Sequence, residues 1–406
     1  MAIKILKSIV FWYFVGVGIT LHLSLGAFWY LEPELAVTAW DRALFGLTER
    51  LKILAWVDSA RKQLSDAAIF SRIPAWTPLP EGPRAPPPGY ARIGERLFPS
   101  PAAALAALKP GETLDIGAGV YTSPWEIRVP RVAIVGQGHV VFERGAAQGK
   151  GNMVIAADNV LVRNIECRLI RVPDENGACI RLEGNNLTVE HVYFHDSEEG
   201  ILAGAAADGR VEIRDSRFEH LGKGGQAHGV YVGGRELVIS DSLFLASQGE
   251  GHEIKSRAAK TTIVRSVIAS MNGVDSRLID VPNGGELTVT DSVLLKGPNS
   301  ASSDAIGFAL EVGPGYHPVD RVIVHNNLIL LDRYLPSRLL RLRDQKIATQ
   351  VSGNVIVSRY RTDYDRTNTV FRSRQAAGLP DYPALPLTPL LPAAASPPPP
   401  AKGGRP

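Results

Sequence analysis

Hydrophobic and polar positions recur in a short pattern along the central part of the chain. A typical copy reads apolar, variable, Asp or Asn, Ser or Asn, variable, apolar, as in the segment from Ile239 to Phe244. Successive copies are separated by 27, 24, 26, 24, 26, 35 and 27 residues, and such a nearly constant period is typical of a solenoid. The eight copies begin at Val162, Val189, Ile213, Ile239, Ile263, Val289, Val324 and Val351.

Each copy predicts two short strands joined by a two-residue polar corner. The closely spaced leucines of leucine-rich repeats are not found in these copies. Asn and Ser suit such corners because their short side chains bond the nearby backbone, and they can form a ladder from one coil to the next. The pattern therefore predicts an all-β protein, a parallel β-helix whose coils stack about 4.8 Å apart.

A second column of apolar residues precedes the copies by nine to twelve residues. If this column points into the core, alternation along a strand places the residues before and after it on the outer surface. Stacked coils would then gather ionisable side chains on one face. The apolar column is Ile180, Ile201, Val230, Ile254 and Ile279; the side chains expected outside are Arg181, Tyr231, Glu253, Lys255, Arg257 and Asp280, with His228, Glu250, His252 and Arg277 brought near by loops.

The N-terminal part of the chain predicts a membrane anchor. Residues 9–30 form a 22-residue run without Asp, Glu, Lys or Arg. A helix of this length crosses roughly 30 Å of hydrocarbon. Lys4 and Lys7 precede the run and Glu32 and Glu34 follow it, so the positive-inside rule places the N-terminus in the cytoplasm and the rest in the periplasm or outside the cell. We therefore expect a single-pass transmembrane helix within residues 1–31; a cleaved signal peptide is the alternative.

Composition divides the remainder of the chain. Residues 32–72 carry apolar residues at helical spacing, which predicts an amphipathic helical segment. Residues 73–99 are predicted to be a linker because seven prolines fall between 73 and 90. The β-helix is expected over 100–378, with a helix at Pro101–Leu108 capping the open N-terminal end of its core. Residues 379–406, rich in proline and alanine, are predicted to be disordered.

The charge of the chain limits the classes of expected binding partner, and its cysteine content limits the number of disulfide bonds. The chain has 44 basic and 41 acidic residues, a net charge of +3, so nucleic acid is not an expected partner. Only two cysteines occur, Cys167 and Cys179, which excludes a disulfide framework. We expect one buried cysteine and one surface thiol rather than a bridge.

The chain resembles a known group of proteins over residues 100–360. Its repeats, the capping helix and the segment GETLDIGAGVY at 111–121 are similar to the right-handed parallel β-helix proteins of the pectate-lyase type. The segment GEGHEIKS at 249–256 also resembles the stretch of chondroitinase B and related alginate lyases that carries acidic calcium ligands and then the catalytic lysine. That resemblance implies Lys255 as the base, Glu250 and Glu253 as metal ligands, and Ca²⁺ as the metal. The arginine of those lyases falls on Asp280 here, with Arg277 three residues earlier.

These features lead to two hypotheses about function. The first is a membrane-anchored polysaccharide lyase or uronate epimerase acting on an acidic glycan. A base must remove the proton next to a uronate carboxylate while a positive group neutralises that carboxylate. The second is a non-catalytic β-helix that binds glycan or another envelope component, with the charged residues forming an ordinary solvated ladder. The predicted catalytic residues are Lys255, Arg257, Tyr231 and Arg277, and the predicted substrate-binding residues are His228, His252, Asp280 and Arg181, although the two histidines could instead turn inward.

Overall fold

The chain divides into two compact units, residues 1–62 and 63–406. The computed structural model describes residues 66–204, 209–234, 236–312 and 316–388, together with positions 18 and 24. The predicted anchor at residues 1–31 and most of the predicted amphipathic segment at 32–72 lie outside the described residues. Among the described residues, no helix combines the length and the apolar character needed to cross a bilayer.

Three parallel sheets, stacked coil upon coil, form the second unit and confirm the predicted parallel β-helix. Sheet A contains, in spatial order, the strands Arg96–Phe98, Ala91–Ile93, Thr113–Ile116, Ala133–Gly136, Val160–Arg163, Leu187–Glu190, Arg210–Arg214, Glu236–Ser240, Lys260–Val264, Glu286–Thr290, Arg321–His325 and Ala348–Ser352. Its strand Ala91–Ile93 pairs antiparallel with both of its neighbours. Sheet B contains Gly119–Tyr121, Val140–Glu143, Glu166–Arg168, Tyr193–His195, Arg217–Glu219, Leu243–Leu245, Val267–Ala269, Val293–Lys296, Leu328–Leu331, Val355–Ser358 and Thr369–Phe371. Sheet C contains Trp125–Ile127, Gly151–Ile155, Ala178–Leu182, Glu199–Ala203, Val230–Val232, Ile254–Ser256, Ile279–Val281, Asp304–Phe308 and Arg338–Leu342.

The two-residue polar corner of the repeat lies between sheets A and B. Its first residue adopts a left-handed backbone, with φ of 52° at Asp241 and 46° at Arg265. Its second residue is buried, and its side chain accepts a hydrogen bond from the next lower corner. The Ser242 Oγ accepts from the Ser216 N–H at 3.1 Å, and the Ser266 Oγ accepts from the Ser242 N–H at 3.2 Å. The predicted Asn/Ser ladder is therefore confirmed.

Apolar columns fill the inside of the solenoid. Phe194, Phe218 and Phe244 occupy equivalent positions in three successive strands of sheet B, and their ring centroids are 5.5 and 4.6 Å apart. The sheet C column predicted from the sequence, represented by Val230 and Ile254, is fully buried in the same core. These columns confirm the inward half of the predicted pattern.

The two cysteines form a disulfide, contrary to the sequence-based expectation. Cys167 in sheet B and Cys179 in sheet C are each 1% exposed, and their sulfur atoms are 2.17 Å apart. Spacing along the chain does not reveal that one coil brings the two inner faces together. The disulfide therefore cross-links sheet B to sheet C within one coil, inside the core.

Segments from both ends of the second unit cover the outer face of sheet B. A short helix at Asp66–Phe70 leads into the region predicted to be a linker, and Ile69 and Ile73 are buried against the apolar face that includes Leu245. Near the C-terminus, a 3₁₀ helix at Gln375–Ala377 precedes Leu379, which is buried in the same cluster. Tyr382 and Leu385, also in the tail predicted to be disordered, pack against this cluster. Residues 389–406 lie outside the described part.

A helix at Pro101–Ala107 packs against the first strands of sheet A. The Ser100 hydroxyl accepts a hydrogen bond from the Ala103 N–H at 3.2 Å, which satisfies one free donor at the start of the helix. Ala104 and Leu108 join the core of the solenoid. The apolar side of this helix therefore adds to the core beside the first coils.

Candidate functional site

The outer face of sheet C carries a row of aligned residues that includes several charged groups. Tyr231, Lys255, Asp280, Gly307 and Arg341 are paired in register from one strand to the next. Neighbouring strands lie about 4.8 Å apart, so these side chains can act on one elongated ligand. The sequence predicted the first three of these positions correctly as residues of one row.

The residue before each inward position does not face outward, which corrects one part of the prediction. Glu253 and Leu278 are 1% and 0% exposed, and Cys179 is in the disulfide. For Glu253 and Leu278 the reason is the length of the strands, because Ile254–Ser256 and Ile279–Val281 begin at the inward residue itself. The chain bends just before that residue, so strand alternation does not extend backward across the bend.

Tyr231, Lys255 and Arg257 converge on the outer face. The Lys255 Nζ lies 5.4 Å from the centre of the Tyr231 ring, within the range of a cation–π contact. The Arg257 Nε donates to the Tyr231 hydroxyl oxygen at 2.7 Å, and its Nη1 donates to the Asn283 Oδ1 at 2.5 Å. Two hydrogen bonds from neighbouring coils therefore fix the plane of the Arg257 guanidinium.

Glu311 supplies the negative charge that faces this pair of cations. Its carboxylate lies 3.5 Å from the Lys255 Nζ and accepts a hydrogen bond from the Arg257 Nη2. Partial burial alone would raise the pKa of Glu311, but the hydrogen bonds and charges of Arg257 and Lys255 outweigh it and hold that pKa below its usual range. Glu311 is therefore an anion at neutral pH.

Arg277 lies farther along the same face and pairs with acidic residues of its own and the next coil. Its Nη1 donates to the Asp280 Oδ1 at 3.0 Å, and its Nη2 lies 3.6 Å from the Asp304 Oδ2. A Cβ at Gly307 would lie 2.7 Å from the Arg277 Cδ, so glycine at that position leaves room for the arginine side chain. Asp280 is 1% exposed, and burial raises its pKa although Arg277 opposes the rise. The structure thus places Arg277 beside Asp280 as a pair, with Asp280 below the surface.

His228 and His252 are buried and stacked on each other, with ring centroids 4.9 Å apart. The His228 Nδ1 accepts from the His252 N–H and the His252 Nδ1 accepts from the Arg277 N–H, both at 3.0 Å. Burial, assisted by the positive charge of Lys255, lowers the pKa of His228 to about 3. Burial also lowers the pKa of His252 well below its usual value. Both rings are therefore neutral and join successive coils, which agrees with the inward alternative for these two predicted substrate-binding residues.

The two predicted metal ligands lie in different environments. Glu253 is 1% exposed, and its carboxyl oxygens accept hydrogen bonds from the Ser247 N–H and hydroxyl, both at 2.8 Å. Burial, together with the charge of Asp275, raises the pKa of Glu253 to about 8. Glu250 is on the exposed turn before it, with a left-handed φ of 61°. The described residues contain no group of three or more His, Cys, Asp or Glu placed to hold a metal ion. The assignment of Glu250 and Glu253 as Ca²⁺ ligands stays a prediction.

Arg181 lies at the N-terminal end of the face, one coil before the buried Glu199. It is half-buried, and its register partner on the next coil is Leu202, which in turn pairs with Tyr231. Burial raises the pKa of Glu199 well above its usual value, although the charge of Arg181 opposes the rise. A buried carboxyl group with a raised pKa therefore lies next to the row, close to the charges of Arg181 and Lys255.

A polar pocket of about 370 Å³ lies elsewhere, after the sheet B strands that end at His195 and Glu219. Its lining includes Arg171, Asp196 and His220. No predicted site residue is part of this lining. The candidate site is therefore the open face of sheet C rather than this pocket.

No family model matches the sequence, and no curated protein sequence is significantly similar to it. Solved structures that are similar to the chain include a pectate lyase and an alginate lyase. Pectate lyase Pel9A matches with 15% identity and a TM-score of 0.42, over 73% of this chain and 84% of that protein. A variant of the PL6 family alginate lyase AlyGC matches with 10% identity and a TM-score of 0.33, over 66% of this chain and 51% of that protein. The AlyGC structure without the substitution matches with 12% identity and a TM-score of 0.30, over 67% and 52% respectively, so this chain spans about half the length of the alginate lyase.

Sequence reasoning missed two residues that contact the predicted cations. Asn283 follows a strand and Glu311 lies in a longer coil, and neither is part of the repeat. The sequence did carry one signal for Glu311. The spacing of 35 residues between Val289 and Val324 exceeds the other spacings of 24 to 27, which indicates an insertion in that coil.

Proposed function

We propose that the protein acts on an acidic polysaccharide that lies along the outer face of sheet C. The observation that carries this proposal is the convergence of Tyr231, Lys255 and Arg257, whose side chains come from two adjacent strands and the residue that follows one of them. A basic amine, a fixed guanidinium and a phenol within one small area can bind a carboxylated sugar and also move protons on it.

The same three groups account for an elimination or epimerisation. Lys255, in its unprotonated amine form, would take the proton from the carbon next to the uronate carboxylate, and Arg257 would stabilise the negative charge that develops on that carboxylate. In an elimination, the electron pair forms the new C=C bond while the glycosidic C–O bond breaks. Because the Arg257 Nε donates to the Tyr231 oxygen, the phenol proton is left for the departing sugar oxygen. In an epimerisation, the glycosidic bond would stay intact and the Tyr231 hydroxyl would instead give its proton to the same carbon from the opposite face.

A non-catalytic glycan-binding role is the second candidate. The observation that favours it is the position of the Lys255 amine, which already faces the Glu311 carboxylate at 3.5 Å. A surface of paired charges can bind a polyanion by exchanging partners without any proton transfer. Turnover is therefore the property that separates the two candidates.

The test uses the purified full-length protein with alginate, pectate and glycosaminoglycans. A lyase would give a rise in ultraviolet absorbance from unsaturated uronates, and an epimerase would change the uronate composition measured by NMR. Lys255→Ala should lower the rate by at least about 100-fold if the amine is the base. Lys260→Ala, which removes a lysine paired with Glu236 on sheet A, is the matched control. Absence of turnover together with binding that Lys255→Ala weakens would leave the binding role, and absence of both would reject the proposal.

The proposal also covers the cellular location of the β-helix, its membrane anchor and its N-terminal cap. A disulfide such as Cys167–Cys179 persists mainly in oxidising compartments. This supports the predicted extracytoplasmic position of the β-helix, with residues 9–30 as its membrane anchor. We assign the helix Pro101–Ala107 to the N-terminal cap because Ala104 and Leu108 contribute to the core at that end. Protease protection of the β-helix in intact cells, lost on permeabilisation of the envelope, would test the location.

A further inference from the structure

Glu311 forms an ion pair of a different kind from the charge ladders on the outside of the solenoid. In a ladder, opposite charges face each other on adjacent strands, as Lys260 and Glu236 do in register on sheet A. Glu311 instead follows the strand Asp304–Phe308, which is two positions away from the strand Ile254–Ser256 in sheet C. Its carboxylate reaches back across the intervening strand to contact the two cations.

The residue that would complete an ordinary ladder with Lys255 is engaged elsewhere. Asp280 is the register partner of Lys255 on the next strand. It is 1% exposed, however, and Arg277 donates to its Oδ1 at 3.0 Å. The Lys255 amine instead pairs with the carboxylate of Glu311, which is not a register partner of Lys255 in the sheet.

The hydrogen bonds of Arg257 indicate which chemical group fits the position that the Glu311 carboxylate occupies. Tyr231 and Asn283 hold its Nε and Nη1, so the guanidinium is fixed before any ligand arrives. The remaining Nη2 and the Lys255 amine face one carboxylate, whose two oxygens they share. Fixed guanidinium and ammonium groups that share one carboxylate form a recognition geometry for carboxylates.

We infer that Glu311 is an internal stand-in for the carboxylate of an acidic saccharide, and that Lys255 and Arg257 form a carboxylate subsite which the ligand enters by displacing Glu311. This inference rests on the proposed function, because it assigns a uronate to the same face. The side chain of Glu311 is 44% exposed, so water can solvate it once it leaves the pair. Its ion pair is partly screened, and such pairs are weak enough for a multivalent ligand to replace.

Isothermal titration of the full-length protein with oligogalacturonate and oligoalginate of defined length tests the inference. Glu311→Gln keeps the size of the side chain but removes its charge, and it should bind the carboxylated oligosaccharides at least five-fold more tightly than the natural protein. Lys255→Ala/Arg257→Ala introduced into Glu311→Gln should abolish that gain. Glu236→Gln, which removes the carboxylate of a true ladder pair, should leave the affinity unchanged, and a neutral cello-oligosaccharide should bind none of the variants.

The possible outcomes separate this inference from the proposed function. If the natural protein binds the oligouronates and Glu311→Gln binds them equally or more weakly, Glu311 supports the site rather than occupying it, and the inference fails while the proposed function stands. If neither protein binds any carboxylated saccharide, including glycosaminoglycan fragments, both are wrong. Circular dichroism of each variant checks that the fold is retained.

Discussion

At the scale of single residues, the polar ladder between sheets A and B contributes to stability because it satisfies buried backbone donors. The Ser242 hydroxyl oxygen accepts from the Ser216 N–H at 3.1 Å, and Ser242 is 1% exposed. Ser242→Ala leaves that N–H without a partner, so the free energy of unfolding should fall by about 1–3 kcal/mol. Urea denaturation measures the loss. Ser303→Ala, in a loop outside the ladder, is the control, and an equal effect in both variants would contradict the role of the ladder.

Glu253 gives a residue-scale prediction about pH. Its folded pKa of about 8 lies above the ordinary value of 4.5, so its contribution to stability is complete below pH 4.5 and is lost as pH rises through 8. The natural protein should therefore lose stability relative to Glu253→Gln between these pH values, with a slope of at most about 1.4 kcal/mol per pH unit for one proton. Urea titrations at several pH values measure this difference. A difference that stays constant with pH would show that Glu253 does not change its protonation on unfolding.

At the scale of structural elements, the segment before the first strands belongs to the folded body. Ile73 is buried against the apolar outer face of sheet B, the Arg217 Nη1 donates to the Pro74 carbonyl at 2.7 Å, and the ring of Trp76 lies 5.8 Å from that of Tyr193. Ile73→Asp should release this segment and expose sheet B, because a carboxylate cannot be buried there without a partner.

Faster proteolysis between residues 66 and 90 and stronger binding of a hydrophobic dye are the expected signs of that release. Leu79→Asp is the matched control, since the Leu79 side chain is 40% exposed. If both variants resist protease as the natural protein does, the segment does not depend on its apolar contacts.

The repeat is the part of the fold that the sequence predicts well, and the outer face is the part that it predicts incompletely. The column that includes Val230 and Ile254 and the serine corners follow from local side-chain chemistry repeated at one period, so pattern alone reveals them. The inward turn of Glu253 depends on a bend before a three-residue strand, and the contact of Glu311 depends on an insertion crossing a neighbouring coil. The Cys167–Cys179 bridge likewise depends on two sheets meeting inside one coil. None of these contacts recurs from one coil to the next, so the periodic pattern does not reveal the residues that make them.

At the scale of the whole molecule, the candidate site is a long face that follows the axis of the solenoid. The register from Arg181 through Leu202, Tyr231, Lys255, Asp280 and Gly307 to Arg341 comprises six steps between strands. At about 4.8 Å per step these residues extend over roughly 29 Å. A single extended glycan lying along the axis would therefore contact residues of several coils at once, whereas a glycan lying parallel to the strands would contact only one or two.

Orientation along the axis makes affinity depend on the length of the glycan. Binding of size-fractionated oligouronates should strengthen with length until the chain spans about 30 Å and then level off. Arg341 lies three steps from Lys255, a distance of roughly 14 Å. Arg341→Ala should therefore weaken the binding of long chains by several-fold and leave short ones unchanged, whereas Lys255→Ala should weaken both. Isothermal titration across the length series gives the comparison. An equal loss for short and long chains in Arg341→Ala would show that the glycan does not follow the axis. If the glycan follows the axis, only a chain long enough to span the three strand steps contacts both Lys255 and Arg341.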